Sequence, residues 1–225
     1  MKSYTLHKGE YTIIKPDKNC PEFKEAISVE KMRLSDKYTI ENLVPSKELM
    51  YRAAKGIYDN IHPDGKKIAI VCGSGNNGGD GYALSVILAE NGTISDIYRV
   101  SEKFSEDGKY YYDIAKSLGV QEKSLNEKTT FEEYDIVVDC IFGTGFRKKP
   151  EGLAADVINN INNTAHYVVS ADINSGINGD TGEAELAVKS DLTISIGYYK
   201  TGMFTGDAPN LIGDLVNVDI GIVLV

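Results

Sequence analysis

Three segments hold the residues best able to do chemistry. The first, Gly73-Ser-Gly-Asn-Asn-Gly-Gly-Asp-Gly81, places five glycines among nine residues, with Asn76, Asn77 and Asp80 between them. Glycines let a backbone turn tightly and approach a ligand closely. Gly73, Gly75 and Gly78 satisfy the G-x-G-x-x-G spacing. Between a strand and a helix, that spacing presents free N–H groups to phosphate. No Lys-Ser or Lys-Thr follows, which excludes a Walker A loop. In the second segment Asp139 lies inside the otherwise apolar run 134–142. A buried carboxylate is costly unless a cation or hydrogen-bond donors meet it. Gly143 and Gly145 follow, and Arg147, Lys148 and Lys149 form the densest basic cluster of the chain, suited to an anion. The third segment is Asp172-Ile-Asn-Ser-Gly176, at the end of the mostly apolar run 166–171. G-x-S-x-G is absent, His7, His62 and His166 lack a Ser or Cys partner motif, and no H-x-x-x-H or Cys/His cluster occurs. A hydrolase triad and a zinc site are thereby disfavoured.

These segments need strands and helices to hold them. The continuous apolar run 67–72 reads as a strand buried on both faces. A helix over 78–90 follows, then a strand over 95–100 and a helix over 106–118. Further strands are expected at 134–142, 166–173, 191–196 and 215–222, with a helix at 152–161. Upstream, Ser28 can cap a helix over 28–42. In 46–61, Leu49, Met50, Ala53, Ala54, Ile57, Tyr58 and Ile61 fall at the spacing of one buried helical face. Strand and helix alternating in this way predict a Rossmann-like three-layer α/β/α sandwich with a mostly parallel central sheet. Ligands bind such sheets at the carboxyl ends of the strands, and there all three segments fall. The polar residues 1–26 read as an N-terminal arm, with a short hairpin at most, before a single domain over 27–225.

The composition narrows the partners. The 225 residues carry 24 Lys and Arg against 33 Asp and Glu, a formal net charge of −9. That argues against nucleic acid. Apolar runs such as 68–72 fall far short of the ~20 residues that span a bilayer. Residues 1–12 hold no apolar signal core. Cys20, Cys72 and Cys140 are scattered, with no C-x-x-C, and read as reduced thiols of a cytoplasmic protein.

The three segments, in this order, resemble the YjeF N-terminal domain family, the NAD(P)HX epimerases. The resemblance rests on 73–81, on Val138-Asp-Cys-Ile-Phe-Gly-Thr-Gly145 and on 172–176, with Met32-Arg-Leu-Ser-Asp36 and Val218-Asp-Ile-Gly-Ile222 in support. It covers about 27–222. It implies an isomerase that interconverts the R and S epimers of hydrated NADH and NADPH. A separate ADP- or ATP-dependent, S-specific dehydratase then restores the cofactor. It implies a potassium ion held by Asn77, Asp139 and Ser175. Substrate contacts would fall on Asn76, Asn77, Gly78, Gly79, Asp80, Gly143, Thr144, Gly145, Phe146, Arg147, Lys148, Lys149 and Asp172. A homodimer is implied too. NAD(P)HX is then a substrate, not a redox cofactor. Oxygen donors from Asn, Asp and Ser suit a hard cation, and Asp172 becomes the acid–base candidate. Two features depart from the family pattern. Asn174 stands where the family has Pro, so the turn loses its fixed φ. Tyr51 and Ala54 stand in the Leu49-Met-Tyr-Arg-Ala-Ala54 stretch where the family has Glu and Gly. Because the chain stops soon after Ile222, the dehydratase is expected on another protein.

Two other readings compete. A nicotinamide-dependent oxidoreductase needs an acid about 20 residues past the glycine loop to hold a ribose, and Glu102 is the candidate. A non-catalytic nucleotide- or protein-binding module of the same fold need not keep Asp139, Asp172 and the glycine loop together.

Overall fold

The computed structural model of the chain describes residues 6–8 and 11–225. Its elements are β1 (Leu6–Lys8), β2 (Tyr11–Ile13), α1 (Val29–Asn42), α2 (Ser46–Ile61), β3 (Ile68–Cys72), α3 (Asn76–Glu90), β4 (Ser95–Arg99), α4 (Glu106–Ser117), β5 (Gln121–Lys123), β6 (Ile136–Cys140), α5 (Gly152–Thr164), β7 (Val168–Ala171), β8 (Ser190–Ile196), α6 (Ala208–Leu211) and β9 (Ile212–Val218). Every residue of β3 and β6 is buried, as expected of parallel strands covered on both sides. Alternate residues serve opposite faces. Ile68, Ile70 and Cys72 join the core under α2 and α3, while Ala69 and Val71 join the core under α5. Helices therefore lie on both faces of one sheet, the expected three layers.

The sheet runs in the order β5-β4-β3-β6-β7-β8-β9, and all six pairings are parallel. The chain moves outward from β3 to β5, returns to β6 beside β3, and then moves the other way. Such a reversal opens a crevice at the carboxyl ends of the two central strands. The glycine loop leaves β3 there, and the loop carrying Gly143 leaves β6.

Local chemistry sets the helix ends. The Ser28 side chain accepts a hydrogen bond from the Lys31 N–H and caps α1, in the manner of a first-turn cap. The bounds of α2 are those of its apolar stripe. α3 begins at Asn76, two residues before the expected start at Gly78, with Gly75 as its cap residue. Packing overrides the poor helix propensity of the glycines here, because α3 is wedged between α2 and α4 on top of β3. β5 was absent from the sequence expectation. It is a three-residue exposed edge strand with no apolar signal. Residues 6–8 and 11–13 pair as an antiparallel hairpin, and Ile14 bridges to Leu215 on the outer strand β9. The rest of the expected arm at 1–5, 9 and 10 lies outside the described residues. Among the described residues no helix is long and apolar enough to cross a membrane.

Candidate functional site

A cavity of about 530 Å³ opens at the carboxyl ends of β3 and β6. Its walls come from α1, α2, the start of α3, the loop after β6 and the end of β7. Asn76, Asn77, Asp80, Gly143, Thr144, Gly145, Phe146 and Asp172 line it. Gly78 and Gly79 are buried in the first turn of α3, behind the wall. The N–H groups of such a turn have no intrahelical acceptor, so the loop and the helix end together form a polar rim. Arg147, Lys148 and Lys149 line a neighbouring cavity of about 330 Å³, which shares Phe146 with the first. There Arg147 pairs with Asp180 at 3.2 Å and Lys149 with Glu185 at 2.8 Å.

The glycines of this site are set by backbone contact. A Cβ on Gly73 would sit 1.9 Å from the Ile141 carbonyl oxygen, and one on Gly78 would sit 2.1 Å from the Gly73 oxygen. Neither neighbour is a flexible side chain. Gly73→Ala is expected to lower stability by at least ~2 kcal/mol, at or beyond the upper part of the usual overpacking range. A urea unfolding midpoint measures it, and an unchanged midpoint would show that the two loops can part freely.

Asp139 is fully buried in β6, and four donors meet it. Its Oδ1 accepts from Ser175 Oγ at 2.5 Å and the Ile141 N–H at 3.2 Å. Its Oδ2 accepts from Ser170 Oγ and the Ser175 N–H, each at 2.9 Å. Burial still pushes the carboxyl above its ordinary range, against the pull of those hydrogen bonds. Ser175 Oγ also accepts from the Phe142 N–H at 2.8 Å, which ties the third segment to the second. Asn77 is 6% exposed, and neither its Oδ1 nor its Nδ2 has a partner. A buried amide without partners is rare and marks a place for a ligand. Among the described residues no group of three or more His, Cys, Asp or Glu is placed to hold a metal. The neutral oxygens of Asn77 and Ser175 with the single carboxylate of Asp139 are of the donor type that suits a hard cation rather than zinc.

Asn174 takes over the work of the expected Pro. It is fully buried. Its Nδ2 donates toward the Val188 and Leu211 carbonyls and Ser190 Oγ, and its Oδ1 accepts from Thr193 Oγ1. Side-chain bonds to β8, to Val188 just before it and to the end of α6 hold the turn in place of a locked φ.

Asp172 has φ +65°, a left-handed conformation that Asp and Asn tolerate better than other side chains. Its Oδ2 accepts from the Thr144 N–H at 3.1 Å and its Oδ1 from Lys200 Nζ at 2.5 Å. Lys200 is fully buried and donates also to the Ile196 carbonyl at 2.8 Å. Sequence reasoning gave no role to Lys200 or to Asp36, which lines the cavity from α1. Both left a trace. Lys200 comes soon after an apolar strand, and Asp36 shares the i, i+4, i+8 spacing of Met32 and Ile40. Glu102, the acid required by the oxidoreductase reading, has a 99% exposed side chain 3.7 Å from Arg99, and the cavity lining does not include it.

The family model described as YjeF-related protein N-terminus matches residues 46–202. An NAD(P)H-hydrate epimerase of Limosilactobacillus fermentum is 33% identical over 87% of this chain and 97% of its own. One of Anaerococcus prevotii is 37% identical over 77% of this chain and 85% of its own. The bifunctional NAD(P)H-hydrate repair enzyme Nnr of Dictyoglomus turgidum is 34% identical over 88% of this chain, which spans 40% of that protein. The crystal structure of yeast ynu0 superposes with a TM-score of 0.65 at 21% identity, covering 79% of this chain and 82% of the other. That last likeness concerns the fold.

Proposed function

This chain belongs to the family of YjeF-related protein N-termini, and from that premise we propose that it is an NAD(P)H-hydrate epimerase, interconverting the R and S forms of hydrated NADH and NADPH. The observation that carries the reading is the Asp172 carboxyl. It is held by Lys200 and the Thr144 N–H at the mouth of a cavity walled by two glycine loops. The hydrated ring needs its hydroxyl to leave and a hydroxyl to return on the other face. Proton transfer by a positioned carboxyl assists such a step, and no redox centre is needed. The hydrated nicotinamide end lies against Asp172. The phosphates lie along the N-terminal turn of α3 and toward Arg147, Lys148 and Lys149, where N–H groups and basic side chains meet negative charge.

Asn77, Asp139 and Ser175 hold a potassium ion in this reading; when bound, it supplies a fixed positive charge beside the buried Asp139. Support comes from the partnerless Asn77 amide and from the carboxyl that burial disfavours. Thermal stability and epimerisation rate are both expected to be higher in potassium than in a buffer of bulky organic cations. Equal values in both, with a silent Asp139→Asn variant, would remove the ion from the account. The enzyme works in the cytoplasm as a homodimer, and a separate dehydratase using ADP or ATP consumes the S epimer.

The test supplies the R epimer together with an S-specific dehydratase and follows NADH absorbance. The signal should rise quickly only when this protein is added. A rate equal to spontaneous epimerisation would leave a binding module. NADH formed without the dehydratase would mean that the chain is not an isomerase.

A further inference from the structure

The cavity holds more carboxyl groups than Asp172. Asp36 projects from α1 in line with Met32 and Ile40, and Asp80 comes from the first turns of α3; all line the same space. The Lys200 ammonium acts on Asp36 and Asp80 and pairs directly with Asp172. Asp107 lines the cavity from α4. The partnerless amide of Asn77 in the same wall marks the space as a ligand site independently of its acids.

Inversion at a carbon needs proton transfer on both faces of the ring. Asp172 is fixed through both oxygens, by Lys200 and the Thr144 N–H, so it cannot follow the hydroxyl from one face to the other. Asp36 comes from a different wall, a helix rather than a strand end. We propose that Asp36 is the second acid–base residue of the epimerisation, serving the ring face opposite to that of Asp172; this rests on the epimerase reading. For one epimer, the Asp36 carboxyl gives its proton to the hydroxyl as the C–O bond breaks, and water departs with the bonding pair. The ring nitrogen lone pair forms a C=N bond. A water on the other face then adds through its oxygen, the C=N pair returns to nitrogen, and the Asp172 carboxylate takes the proton. The other epimer runs the same steps with the two acids exchanged, and nothing is oxidised or reduced. Burial and the nearby Asp172 push Asp36 up to about 6, against the pull of Lys200, a value at which a carboxyl exchanges its proton near neutrality. Burial, Asp172 and Asp36 push Asp80 well above the usual carboxylate range, against the pull of Lys200.

The experiment uses the full chain, each purified epimer and heavy-oxygen water. Asp36→Asn is expected to slow epimerisation roughly 10²–10⁴-fold with little change in KM. One epimer should still exchange its hydroxyl with solvent with retained configuration, through Asp172. Wild-type kcat/KM is expected to fall above pH about 6, and that fall should vanish in the Asn variant and persist in Asp36→Glu. Epimerisation within tenfold of wild type overturns the proposal. So does an equal loss of epimerisation and retained exchange, which a merely structural role produces. Wild-type inversion without uptake of solvent oxygen overturns it in favour of ring opening. A wild-type chain that inverts neither epimer overturns the epimerase reading itself, and this inference with it.

Discussion

Asp172→Asn should abolish measurable epimerisation while the protein remains folded. A general acid–base group supplies roughly 10²–10⁴ in rate, and at this position the amide can do nothing in its place. The fold should survive at lower stability, since the buried Lys200 ammonium loses its counter-charge, and three features limit that loss. Asn tolerates the +65° φ of this residue as well as Asp does. Its amide oxygen can still accept from Lys200, whose Nζ keeps the Ile196 carbonyl as well. The new NH₂ group has a way out, because Asp172 lies beside the open cavity and need not stay against the Thr144 N–H. The rate comes from the coupled dehydratase assay and the fold from a urea unfolding curve. A variant that keeps more than about a tenth of wild-type activity would mean that Asp172 is not the acid–base group.

Much of this site could be read along the chain, because its parts are local. A strand buried on both faces needs an unbroken apolar run, and 68–72 and 136–140 are such runs. The glycine loop and the Asp172 turn each lie within nine residues of sequence. What escaped is assembled from afar or lacks an apolar signature. β5 is three polar residues paired to β4 alone. Expected strands overran their paired parts at 134–142 because Tyr134 and Ile141 are buried, at 1% and 2% exposed, without belonging to the ladder. Apolar residues fill the core whether or not their backbone pairs. Arg147 to Lys149 line the adjoining cavity, where Asp180 and Glu185, 33 and 36 residues further on, pair with two of them. Lys200 lies 28 residues from Asp172, and nothing in a run of sequence says that a lysine will turn inward to meet a carboxylate.

The second large effect belongs to that lysine. Lys200 is fully buried, and its Nζ has Asp172 Oδ1 at 2.5 Å, the Ile196 carbonyl at 2.8 Å and Ser195 Oγ at 3.5 Å. A buried pair is weak evidence of net stability, but removing one partner leaves the other charge uncompensated, at a cost of about 3–5 kcal/mol. In Lys200→Met the Asp172 carboxylate, only 16% exposed, would remain near Asp36 and Asp80 with that ammonium gone. The variant is therefore expected to unfold at markedly lower urea and to lose epimerisation, since the acid–base oxygen is no longer held. The double variant Lys200→Met with Asp172→Asn separates the two consequences. With both charges gone, its stability should recover by one or more kcal/mol over the sum of the single changes, a coupling typical of residues in contact. Its activity should not recover at all. Strictly additive stability losses would show that the pair carries no coupling. An active Lys200→Met would show that Asp172 is positioned by the Thr144 N–H and its strained backbone alone.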